Sequence, residues 1–172
     1  MGFFKKKKKE ISKELFGERI LSRMLLTSAQ KSPDLFEEFG IPMEFTHYLY
    51  YLEYLLFLAG KILEQRYPVA DVKIITYSTI EGLVDFMDVV PADKKNDVKK
   101  IFGEMYAEFA IYSEEICSDI GSKQGLKNLA DSFLVGLGME KGLLENVRVF
   151  TELSGFVVYH TNDILNDEIV IV

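Results

Sequence analysis

Apolar residues recur along this chain at alternating three- and four-residue steps over long stretches, and that spacing predicts helices. The first runs from about Glu10 to Gln30, with Ile11, Leu15, Ile20, Met24 and Leu25 forming an inward stripe. Ser32-Pro33-Asp34 then supplies an N-cap, a proline at the first helical position and an acid in the first turn of a short helix, Asp34–Phe39, which Gly40 stops. A third helix opens at Pro42 and reaches Arg66, where Tyr67-Pro68 breaks it. Ala70–Val90 follows, with Ile74, Tyr77, Ile80, Leu83, Val84 and Met87 expected inward. Asp93 is placed to cap a helix running to about Ser118, whose seam is Val98, Phe102, Met105, Phe109, Tyr112 and Ile116. Lys123–Val135 and Met139–Asn166 complete the set, the last with Ser154, Val157, Thr161 and Ile164 on its inner side. The closing Ile169-Val170-Ile171-Val172 is β-prone and is expected to dock against the body.

The Pro42–Arg66 segment is apolar over most of its circumference. Phe45, Leu49, Leu52, Leu56, Ala59 and Leu63 make one seam, and Tyr48, Tyr51, Leu55, Leu58 and Ile62 a second beside it. A helix of this kind is surrounded by other helices. Glu53 interrupts the apolar run between His47 and Lys61, leaving it too short for the ~20 residues of a membrane span. The expected fold is all-α: a compact antiparallel helical bundle of six to seven helices with this helix buried at its centre.

Charge divides the chain unevenly. Residues 1–31 carry nine Lys or Arg against three Glu, a net of +6, and the rest carries eleven against twenty-four, a net of −13, which together give the overall −7. The organisation read from this is a basic flexible leader, 1–9, followed by a single helical domain, 10–172. Hydrophobic residues make up 48% of the sequence, which excludes wholesale disorder. One cysteine, Cys117, leaves no intramolecular disulfide, and no apolar h-region follows the leader lysines, so the expected location is cytoplasmic.

Candidate chemistry is sparse. Glu44-x-x-His47 has the spacing of half a di-iron carboxylate motif, but the residue three before the other histidine, His160, is Val157. Glu44 is better used at a helix start, and no metal or cofactor is expected. Asp163 could orient His160, yet no nucleophile is placed nearby. Gly136-Leu137-Gly138 is too short to cradle a phosphate, and no catalytic residues are assigned.

Three kinds of function fit these residues. The principal expectation is a non-enzymatic interaction or regulatory protein whose acidic helical surface binds a protein partner, possibly a basic one; nucleic acid is not expected, because the acidic body repels phosphates. A small apolar ligand held by Tyr48, Tyr51, Tyr54, Phe102, Met105 and Phe109 is the alternative from the aromatic content. Peripheral membrane contact through Phe3, Phe4, Lys5, Lys6, Lys7, Lys8 and Lys9 is the third. The heptad-like seams would equally allow a homo-oligomer.

Overall fold

The computed structural model describes residues 9–30, 32–38, 44–116, 123–137, 145–167 and 169–172, and these are mostly helical. In chain order they form β1 (Lys9–Ile11), α1 (Lys13–Leu15), a π-helical segment (Phe16–Leu21), α2 (Ser22–Ala29), α3 (Ser32–Glu38), α4 (Phe45–Glu64), α5 (Val69–Phe86), a 3-10 turn (Ala92–Lys94), α6 (Lys95–Ile116), α7 (Lys123–Gly136), α8 (Glu145–Asp167) and β2 (Ile169–Ile171). Pro42, Cys117 and the Met139 start expected for the last helix lie outside the described residues. Among the described residues no helix is long and apolar enough to cross a membrane.

α4 packs against α2, α5, α6 and α8, and its residues from Tyr51 to Gly60 are buried without a break. Propensity explains little of this. Enclosure on all sides is what a helix with apolar residues all round requires. Gln65 and Arg66 turn the chain and Pro68 starts α5, as the Tyr67-Pro68 break predicts. On α8, Ser154, Val157 and Thr161 are buried as expected, and the Thr161 hydroxyl donates to the Met24 sulfur at 3.9 Å.

The N-terminal end departs from the expected helix, while the β-prone C-terminal tail docks as expected. Lys9–Ile11 is a strand, not the first turn of a helix, and it pairs in parallel with Ile169–Ile171, Ile11 lying opposite Ile171. The Val172 N–H extends the ladder by donating to the Ile11 carbonyl at 2.9 Å. The docked tail is therefore held by backbone hydrogen bonds as well as by burial of Ile171. Ser12, in extended conformation, separates strand from helix and accepts a hydrogen bond from the Leu15 N–H at 3.2 Å.

The inward stripe of the first helix also shifts. Leu15 is exposed, Ile11 lies in the strand and Ile20 is half-buried, whereas Phe16 and Leu21 are buried. Those two stand five residues apart, a step that shares a face in the wider π-helix and not in an α-helix. Opposite them lies α5, and glycines let the backbones come close. A methyl group at Gly17 would strike the Ile75 carbonyl oxygen, and one at Gly82 would strike the Glu18 carbonyl oxygen. Around them stand small hydroxyl residues whose side chains bond their own helices: Ser22 donates to the Glu18 carbonyl, and Thr79 to that of Ile75 at 2.6 Å.

Gly17→Ala and Gly82→Ala should each lower stability by at least about 2 kcal/mol, because neither neighbouring backbone can yield to a methyl group. Gly103→Ala, at a helical position with open space around it, should be neutral or stabilising by up to about 1 kcal/mol. Urea denaturation of the three variants checks this, and a Gly82→Ala protein as stable as the parent contradicts the close approach.

Candidate interaction surface

Four of the side chains expected around an apolar ligand, Tyr51, Tyr54, Phe102 and Phe109, are buried in the core, while Tyr48 and Met105 are half-buried. The rings fill space instead of lining it. Tyr54 stacks on Phe133 of α7 at 4.0 Å between centroids, and Tyr51 approaches the same ring at 5.9 Å and Phe36 at 5.6 Å. Phe109 lies edge-on to both Tyr50 and Phe57, at 5.4 and 5.9 Å. Tyr48 borders a separate depression with Leu26, Phe45 and Met87. Of the leader, Lys9 belongs to β1, and Phe3, Phe4, Lys5, Lys6, Lys7 and Lys8 lie outside the described residues.

Glu53 sits amid these rings. Its residue is 2% exposed and its Oε1 has no hydrogen-bond partner among the described residues; nor has the buried Ser113 hydroxyl on α6. Burial without a compensating cation pushes the Glu53 carboxyl up to about 7. Tyr50 is pushed up to about 12, first by burial and then by the charges of Glu53 and Tyr112. Tyr106 is raised by burial and by Glu64, Glu114 and Glu53, against a lowering hydrogen bond with Thr76.

The cleft of interest lies elsewhere, where the end of α4 meets α5 and α6. It encloses about 350 Å3, with Phe57, Gly60, Val72, Thr76, Tyr106 and Ala110 deep and Val69, Tyr77, Ile111 and Lys73 toward solvent. None of the six expected ligand residues lines it. Lys61 crosses its wall, bonding Glu64 at 2.9 Å and also Glu114. Burial alone would lower the Lys61 pKa, but the hydrogen bonds to Glu114 and Glu64 outweigh it and the group is raised. That cation is spent internally.

Beyond the cleft a shallower depression continues between α5 and α6, bordered by Ile80, Glu81, Lys99, Lys100, Gly103 and Glu104. Tyr77 and Ala107 belong to both, so the two form one groove along the helix pair. Ile74 and Tyr77, expected inward, are exposed, Tyr77 at 60%, because the first half of α5 turns Val72, Ile75 and Thr79 to the core instead, while Ile80, Leu83, Val84 and Met87 are buried as expected. On α6 the Phe102 and Phe109 seam is buried, but Tyr112 is 53% exposed. The helix's outer side carries Asp97, Ile101, Glu104, Glu108, Ile111 and Glu115, all exposed, at steps of four and three. The stripe was visible as spacing in the sequence; the stronger seam beside it concealed that Ile101 and Ile111 face water.

Other candidates find simple roles. Glu44, exposed and extended, is the N-cap residue of α4, and His160 lies edge-on to Tyr159 at 5.2 Å. Among the described residues there is no group of three or more His, Cys, Asp or Glu able to hold a metal. Compared with known proteins, the chain matches no family model, no curated protein and no solved structure.

The Glu53 carboxyl gives a pH dependence of defined sign. Its folded value of about 7 exceeds its ordinary 4.5, so its contribution to stability is complete below about pH 4.5 and is lost as pH rises through about 7. Between about pH 5 and about pH 8 the parent should lose roughly 3 kcal/mol from this group, and Glu53→Gln should not. Denaturation midpoints across that range decide it, and parallel pH profiles for the two proteins refute it.

Proposed function

We propose that the protein is a non-enzymatic interaction module, acting in the cytoplasm, whose acidic helical surface receives a basic protein partner. The observation that carries this reading is the uncompensated charge on the outer side of α6. Asp97, Glu108 and Glu115 pair with no cation among the described residues, and Glu104 has only a 3.9 Å approach from the exposed Lys100. Of the neighbouring lysines, Lys99 bonds Asp85 at 2.8 Å and Lys61 is held between Glu64 and Glu114, which leaves the exposed Lys73 and Lys100 as the freer cations. Surface acids without partners repel one another, and a cationic partner relieves that repulsion while gaining a faster encounter.

The same reading takes the helices as an antiparallel bundle. Its support is that Asp85, near the end of α5, meets Lys99, near the start of α6, while Val69 and Glu114 share the cleft at the opposite end. Pairing of this kind presents both outer faces side by side to a partner.

Binding of a lysine-rich peptide and of a glutamate-rich peptide, at about 50 mM and about 200 mM salt, tests the reading. The cationic peptide should bind, with affinity falling severalfold at the higher salt, and the acidic one should not. Absence of cationic binding at low salt, or affinity indifferent to salt, overturns it.

A further inference from the structure

We propose that the groove between α5 and α6 is the docking site itself and that its occupant is a cationic amphipathic helix supplied by the partner. This rests on the interaction reading above and adds a place and a shape to it. The groove has an apolar bed whose lining balances lysines with glutamates, and the unpaired acids Asp97, Glu108 and Glu115 stand beside it on the outer side of α6. Tyr77 and Ala107 form its continuous middle, Val69 and Ile111 flank the deeper end, and Ile111 is 65% exposed. Ile101 stands on the outer stripe toward the other end, 52% exposed. Isolated apolar residues on a surface mean nothing. Those lining the groove follow one helix pair, beside a cavity large enough for an aromatic or branched side chain.

The row of acids selects the sign. Along α6, Asp97, Glu104, Glu108 and Glu115 alternate with Ile101 and Ile111 at steps of four and three, so acid and apolar groups share one face over about 27 Å of helix. A partner must then offer apolar side chains and cations on the same side at matching intervals. A helix with apolar residues at i, i+3, i+4 and i+7, flanked by Lys or Arg, meets both demands. An extended basic tail meets only the second, since its side chains alternate between faces. Lys73, on the solvent side of the deeper cleft, makes no ion pair among the described residues. The unpaired acids place the basic flank of the occupant along the outer side of α6, and its apolar edge falls on Tyr77, Ala107 and Ile111 between the two helices.

The test uses the full chain and two synthetic peptides of identical composition. One arranges leucine and lysine in helical amphipathic register over about four turns, and the other has the same residues shuffled. Affinity is read by fluorescence anisotropy at about 50 mM salt. The amphipathic peptide should bind at least about tenfold more tightly than the shuffled one. The exposed-site double variant Tyr77→Ser, Ile111→Ser should abolish that difference, and Glu108→Lys should lower affinity for both peptides severalfold. Asp34→Asn, on α3, should change nothing. Equal binding of the two peptides, with salt sensitivity retained, removes the groove and leaves the acidic-surface reading standing. Binding of neither removes both. A protein that self-associates until Ile111→Ser separates it, or that binds the peptide only once Lys5–Lys9 are replaced by Gln, assigns the groove to a second copy or to the chain's own leader and overturns the proposal.

Discussion

A helix that is apolar on every side has to be wrapped, and the wrapping of α4 governs where the other elements can lie. From Tyr51 to Gly60 no residue reaches water, so α2, α5, α6 and α8 each commit one face to it. The tyrosines of α4 are consumed in that closure, with Phe133 meeting Tyr50, Tyr51 and Tyr54. Glu53 is the cost of the arrangement. A carboxyl on the buried circumference, with Oε1 unbonded among the described residues, is tolerated because burial holds on to its proton up to about pH 7.

Wrapping has a limit, which is how near two backbones can come. Between the π-helical segment and α5 the separation is set by Gly17 and Gly82, each facing a carbonyl oxygen of the opposite element. Close approach there lets α5 bury Ile75, Thr79 and Leu83 against the first helical run while its other side remains available to α6. At the chain ends, β1 and β2 supply a second kind of fastening. Their parallel pairing joins residues separated by nearly the whole sequence, with the helical body as the crossover that parallel strands require.

Charge is sorted by the same packing. Along the groove Lys61 and Lys99 are engaged with acids, whereas Asp97, Glu108 and Glu115 on the outer side of α6 pair with no cation among the described residues. Exposed pairs of this sort add little stability, so the arrangement matters more for what approaches the surface than for what holds the fold. In the proposed complex, apolar residues on that surface would turn an unspecific attraction into a shaped one, because they would reward only a partner whose own side chains fall in register.

Helical identity, the break at Tyr67-Pro68, the burial of α4 and the excess of acid over the body were legible in the residues themselves, since they follow from local spacing, proline geometry and composition, whereas α5 ends at Phe86, short of the expected Val90. The β1–β2 pairing was not, because a strand needs its partner and that partner lies at the far end of the chain. Nor was the outward turn of Ile74, Tyr77 and Tyr112: periodicity marks which residues share a face, while neighbours decide which of two apolar faces is covered. The phase shift that buries Phe16 and Leu21 came from the π-helical step, which no pattern of apolar positions announces. What the chain carried alone was its set of amphipathic rods and their charges; which sides of α5 and α6 meet water was decided only when space around α4 ran out.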